Sequence, residues 1–336
     1  MKIAKRVALL VVTAVSLYLV GPAILDVFSS WDEVSGLDPF LLQLIVIAEI
    51  ASFACQWALL RITLRETRWT NVITSQLAAT AASRVVPGGG AAGSALQYSM
   101  VVRGGVVPGT AATGLTAVSL LITGTVLALP ALALPAVLFG SRGIDEDLAR
   151  AAWAGAAAVV LLVGAGFALL KWDTPLRWAA RSIEAVKNRL RPRQEPAHGL
   201  TERLMDERDV IRNVLTSSWI EALLLTAGRW VFDYVALLLA LAAVDAHPAP
   251  SAVLLAFCVA QALALIPLTP GGLGFVEAGL TGTLALAGVS SGAAVAATLA
   301  YRLAAYWLPL PVGAIAYVVH ARTFGRPDPK PAPGTP

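Results

Sequence analysis

Apolar runs broken by short polar punctuation dominate this chain. Stretches over 7–28, 39–60, 106–128, 148–170, 214–244 and 291–319 each hold the 20 or so apolar residues that a helix needs to cross a bilayer. Lys2, Lys5 and Arg6 precede the first run, which reads as an uncleaved span. Basic residues mark cytoplasmic loops. The rule puts the N-terminus, the loop with Arg61, Arg65 and Arg68, and the tail with Arg322 and Arg326 in the cytoplasm. Acidic loops with Asp32 and Glu33, with residues 145–147, and with Asp245 then face out.

Two stretches are apolar but interrupted. Residues 70–86 run into Pro87-Gly88-Gly89-Gly90, and a second helical piece, 91–103, follows. Residues 252–266 run into Pro267-Leu268-Thr269-Pro270-Gly271-Gly272-Leu273-Gly274, and 275–287 follows. Each half is too short to span the roughly 30 Å core. The pattern predicts two re-entrant helical hairpins, tolerable at membrane depth only inside protein or beside a water-filled cavity. A shift of 183 positions lays Pro87-Gly88-Gly89 on Pro270-Gly271-Gly272 and Gly105 on Gly288. The order span, hairpin, span thus occurs twice with opposite orientation, an inverted repeat of the transporter type. The expected fold is an all-α polytopic membrane protein with about six transmembrane helices plus the two hairpins. The expected organisation is a transmembrane domain over 1–322, with repeats at about 39–140 and 214–320, a cytoplasmic linker at 171–213 and a Pro-rich disordered tail at 323–336.

Composition agrees. Of 336 residues, 57% are hydrophobic and only 14% charged, against about 25% in soluble chains, with a mean hydropathy of +0.72. The net charge of +4 reflects loop charge in such a chain, so no nucleic-acid partner is expected. Cys55 and Cys258 lie apart in apolar runs, and the three histidines are scattered, so no metal site or catalytic base is expected. Gly88-x-Gly90-x-x-Gly93 matches a dinucleotide fingerprint only in letters, because no βαβ context surrounds it. No cofactor is expected. Residues 171–193 alternate Leu176, Ala180 and Ile183 with Arg177, Arg181 and Lys187 at helical spacing, predicting a basic amphipathic helix on anionic inner-leaflet lipid. Residues 200–213 read as a second short helix.

Ionisable residues inside spans cost about 2.5–3.5 kcal/mol each on insertion scales. Here they are Glu49, Arg84, Glu221, Arg229, Asp233, Glu277 and Arg302. Arg229 and Asp233 stand at i, i+4, the spacing of a helix ion pair. Glu49 has Arg84 or Arg302 as candidate partners, and Glu221 suits a place near the inner interface. Arg84 and Glu277 flank the two glycine turns, where half-helix N-termini favour an anion such as a lipid phosphate. Glu277 or Glu49 suits a headgroup amine or a proton. The candidate lipid-binding set is Arg84, Pro87, Gly88, Gly89, Pro270, Gly271, Gly272, Gly274, Glu277, Tyr301 and Arg302. Glu49, Glu221, Arg229 and Asp233 are candidates for coupling or ion pairing.

Pro270-Gly271-Gly272-Leu273-Gly274-Phe275-Val276-Glu277 resembles the "PGGLG-x-x-E" signature of the lysylphosphatidylglycerol synthase transmembrane-region family. Tyr301-Arg302-Leu303 with Tyr306-Trp307 and Pro309 resembles its final span, and Arg84-Val85-Val86-Pro87-Gly88-Gly89-Gly90 its earlier turn. The likeness covers about 40–320. Many members carry an acidic residue and an arginine shortly after the first turn, where this chain has Ser94 and Gln97. In full-length synthases this domain flips aminoacylated phosphatidylglycerol and precedes a soluble transferase domain, for which this chain has no room. The resemblance therefore implies a stand-alone flippase-like membrane protein and not a synthase, and it does not identify the lipid. The leading expectation is a non-enzymatic transporter of the cytoplasmic membrane that moves a phospholipid or polyprenyl-linked headgroup. Two alternatives stay open: a scaffold for a lipid- or glycan-modifying enzyme, acting through 171–213, and a lipid-phosphate glycosyltransferase using the acidic residues 145–147.

Overall fold

The computed structural model describes residues 37–66, 68–86, 89–129, 200–265 and 269–325, plus positions 153, 157 and 161. The predicted first span, Pro87, Gly88, the acidic residues 145–147, the basic helix at 171–193 and the Pro-rich tail from 326 lie outside the described residues. What is described is helical, without strands.

The first helix, α1 (Pro39–Leu64), starts where Asp38 accepts a hydrogen bond from the Phe40 N–H at 2.9 Å and Pro39 fills the first helical position. It ends at Arg65 in a left-handed conformation. Then come α2 (Trp69–Val85), α3 (Gly89–Arg103) and α4 (Pro108–Ala128). The second half holds α5 (Leu200–Ala243), α6 (Pro250–Ala264), a 3₁₀ turn (Pro270–Gly272), α7 (Phe275–Leu286), α8 (Ser291–Arg302), a π turn (Leu303–Trp307) and α9 (Pro309–Phe324). Four stretches are long and apolar enough to cross a membrane: Pro39–Leu64, Pro108–Val126, Ile220–Ala243 and Ser291–Phe324. At 17 and 15 residues, α2 and α3 reach only about 25 and 22 Å.

Two expectations change. Residues 200–213 are no separate helix but the first turns of α5, which runs unbroken for 44 residues. The reason is local: no proline or glycine interrupts the sequence from 200 to 227. The last span is not one regular helix. Pro309 has no N–H to give the Ala305 carbonyl and its ring crowds that turn, so the chain widens. The Leu308 N–H instead reaches the Leu303 carbonyl at 2.9 Å, a π turn.

The helices pack as antiparallel neighbours. Along α2 and α3, Gln76 meets Gln97 and Asn71 meets the Val101 carbonyl, so one index falls as the other rises. The Arg68 side chain caps the far end on the Gly104 carbonyl. Likewise α1 lies along α5, and α6 along α7. Helix α9 crosses α2, where Gly313 sits on the Leu77 carbonyl and His320 bridges Thr74 (2.8 Å) and the Met100 carbonyl (3.1 Å). A β-carbon on Gly313 would stand 2.4 Å from that carbonyl oxygen. Gly313→Val should therefore push the two helices apart and destabilise the protein by about 1–3 kcal/mol. Thermal unfolding in detergent checks this, and an unchanged midpoint would refute so close a crossing.

Polarity is inverted relative to a soluble protein. Large apolar side chains such as Ile50, Leu120, Leu224 and Val231 face outward, while Glu49, Asn71, Gln76, Asp233, Arg302 and His320 are buried. Hydrocarbon outside and polar groups satisfied inside is what a bilayer selects.

Candidate functional site

The buried charges converge on one cavity of about 410 Å³. Its walls come from both halves of the chain. Helix α1 supplies Glu49 and Ser52, the end of α2 supplies Arg84, and the start of α3 supplies Gly89 and Gly90. From the second half come Arg229 and Asp233 of α5, Gln261 of α6, Gly271 and Gly272 of the 3₁₀ turn, Tyr301 and Arg302 of α8, and Tyr306 of the π turn. The breaks between α2 and α3 and between α6 and α7 thus face the same space. The 3₁₀ turn packs directly on α2.

Tyr306 joins the two breaks. Arg84 donates to its carbonyl at 2.7 Å, and its hydroxyl donates to the Arg84 carbonyl at 3.2 Å. The Arg84 and Arg302 guanidiniums lie 4.9 and 4.4 Å from the ring centre, within cation–π range. The same ring covers Gly271, whose φ of +59° is left-handed and whose missing β-carbon leaves the ring its place. Arg302 is fixed from behind: its Nε donates to Glu277 Oε1 at 2.7 Å, and its Nη2 lies 2.6 Å from the same oxygen. Glu277 is therefore the neutralising partner of a cavity arginine and does not itself line the cavity.

The expected ion pair between Arg229 and Asp233 is not formed. The Arg229 guanidinium stacks on Trp230 at 3.9 Å, and its Nε and Nη1 are buried without a hydrogen-bond partner. Asp233 turns the other way, accepting from the Tyr301 hydroxyl at 2.7 Å and from Gln261 at 3.4 Å. Nor does Glu49 clamp Arg84 or Arg302. It is 4% exposed, its Oε1 has no hydrogen-bond partner, and the nearest carboxylate facing it is Asp233.

Of the residues singled out from sequence, Arg84, Gly89, Gly271, Gly272, Tyr301, Arg302, Glu49, Arg229 and Asp233 come together around the cavity. Pro270 opens the 3₁₀ turn and Gly274 precedes α7, and neither lines the cavity. Glu221 is exposed on α5, three turns from Asp233. Gln261 and Ser52 were not singled out. For Gln261 the signal was present, a polar side chain inside the apolar run 252–266.

Residues 7–313 match the family described as lysylphosphatidylglycerol synthase TM region. The chain belongs to the lysylphosphatidylglycerol synthase transmembrane-region family. A UPF0104 membrane protein of Methanothermobacter thermautotrophicus is 30% identical over 98 residues, which is 29% of this chain and 28% of that protein. Membership in the family and the apolar spans make this a membrane protein, and the family fits a lipid-related role. The cavity adds three arginines, two carboxylates and bare glycine backbone between the helices.

Proposed function

We propose that this protein is a flippase-type transporter that carries a phospholipid or polyprenyl-linked headgroup between the leaflets of the cytoplasmic membrane, with both termini in the cytoplasm. The observation that carries the reading is the charged, glycine-walled cavity between the two helix breaks. A phosphate fits beside Arg84, Arg229 and the first N–H groups of α3, and the acyl chains stay in lipid.

The element order supports a repeat. Shifted by 183 positions, α1 falls on the end of α5, α2 on α6, α3 on α7 and α4 on α8 with the π turn. The related helices α1 and α5 run antiparallel, as inversion requires. On this reading α2–α3 and α6–α7 are re-entrant hairpins, the chain has about six spans in all, and rocking one repeat against the other exposes the cavity to each leaflet in turn.

The test is lipid scrambling in liposomes, with fluorescent phospholipid bleached from outside. Wild type should bleach well beyond the outer-leaflet half. Arg84→Ala and Arg229→Gln should each slow transfer about tenfold or more, equal to about 1.4 kcal/mol at the barrier. Glu221→Gln, outside the cavity, should transfer at the wild-type rate. Full activity in both arginine variants would remove the cavity from the path.

A further inference from the structure

The charges around the cavity do not pair off evenly. Arg302 is spent on Glu277, at 2.6–2.7 Å. That leaves Arg84 and Arg229 against Glu49 and Asp233, two of each sign. Neither arginine is bonded to either carboxylate. The arrangement balances charge without consuming it, so a ligand can compete for either half.

The two carboxylates also hold matching places. Shifted by 183 positions, Glu49 falls on 232, one residue from Asp233. They face each other across the antiparallel pair α1 and α5, each in the middle of a candidate span. Asp233 is held by Tyr301 and Gln261, whereas Glu49 Oε1 has no donor. The charged and titratable groups around them are Arg84 from α2, Arg229 from α5, Tyr301 and Arg302 from α8, and Tyr306 from the π turn. Of the other helices packed on α1 and α5, α4 carries no ionisable residue and α6 only Cys258.

We infer that Glu49 and Asp233 form a proton-accepting pair that takes up one proton when a phosphodiester anion occupies the cavity at Arg84 and Arg229. The inference rests on the headgroup reading above. An entering phosphodiester claims the guanidiniums, and the two carboxylates, 4% and 6% exposed, lose that counter-charge. One proton shared between them restores neutrality. The proton bonds to Glu49 Oε1, the oxygen that lacks a donor. No other bond is made or broken. Movement of the headgroup is thereby tied to movement of a proton, which supplies a driving force without a nucleotide.

The probes are dihexanoyl phosphatidylglycerol, which carries one fixed negative charge and no amine, and dimethyl phosphate, the same anion without chains. Neither titrates near neutrality, so any proton taken up belongs to the protein. Binding to the full chain in detergent is measured calorimetrically in two buffers of different ionisation enthalpy, which gives protons taken up per ligand bound. About one proton is expected, and affinity should fall about tenfold per unit rise in pH across the window of linkage. Glu49→Gln and Asp233→Asn should still bind, with the uptake and the pH dependence gone. Tighter binding of the lipid identifies the headgroup as the ligand, while equal binding identifies the free diester, and both carry the inference. Binding without proton uptake, or uptake unchanged in both variants, overturns the inference and leaves the headgroup site standing. No binding of either probe overturns the headgroup reading and the inference with it.

Discussion

Arg302→Ala should be the most damaging single change at the cavity wall. Arg302 and Glu277 are 9% and 22% exposed in their side chains, and a single hydrogen bond from Nε joins them, with Nη2 close to the same oxygen but without a hydrogen-bond partner. Removing one member of a buried pair strands the other, at about 3–5 kcal/mol. Glu277 has little to fall back on, since its Oε2 is buried and already lacks a hydrogen-bond partner. Its partial exposure puts the expected loss at the lower end of that range. The physical content lies in the comparison with a double variant. Glu277→Met alone should also be costly, because it frees Arg302 inside the protein. Arg302→Met with Glu277→Met should cost far less than the two single changes added, since replacing a whole buried pair by apolar groups of similar volume is often neutral. Thermal unfolding in detergent of wild type, the two singles and the double reads this directly. Simple additivity would show that the two charges do not depend on each other.

How far the sequence foretells the site follows from how local each determinant is. The helix breaks were legible because proline and glycine act on their own backbone: α2 ends and α3 starts around Pro87-Gly88, and α6 and α7 flank Pro270-Gly271-Gly272. The ends of α1 were legible for the same reason, with Asp38-Pro39 opening it. The partners of the charges were not. Spacing of i, i+4 places the β-carbons of Arg229 and Asp233 near one another but does not choose their rotamers. Those are chosen by Trp230 on one side and by Tyr301, 68 positions away, on the other. The contact between Arg84 and Tyr306 spans 222 positions, and the π turn that aims Tyr306 has no local signature beyond Pro309. Placement of ionisable residues in apolar runs told which side chains turn inward, Glu221 excepted, because hydrocarbon disfavours their charge. It did not tell which oxygen meets which nitrogen.

Gly271→Ala should disable the protein although it adds one methyl group. At φ of +59° an L-residue loses roughly 1–2 kcal/mol to steric crowding of its own backbone. The new β-carbon would also stand 2.5 Å from Cε2 and the hydroxyl oxygen of Tyr306. A free tyrosine would swing aside. This one is held by contacts with two guanidiniums and by both ends of its hydrogen bonding to Arg84, so the 3₁₀ turn is the part that yields. Moving the turn moves α7, and with it Glu277, away from Arg302. Overpacking of this kind adds about 1–3 kcal/mol, and transfer in the liposome assay should fall more than tenfold. Gly274→Ala provides the control. Its φ of +78° with ψ of −41° lies outside the left-handed well and strains an L-residue at least as much, but nothing lies within 4 Å of the added carbon. It should lower the unfolding temperature modestly and leave transfer within about threefold of wild type. If the two alanines were equally harmful, the damage would come from the backbone alone, and Tyr306 would lose its place as the link between the two breaks. A large gap between them would locate the function in the contact of one ring with one glycine, where the two halves of the chain meet.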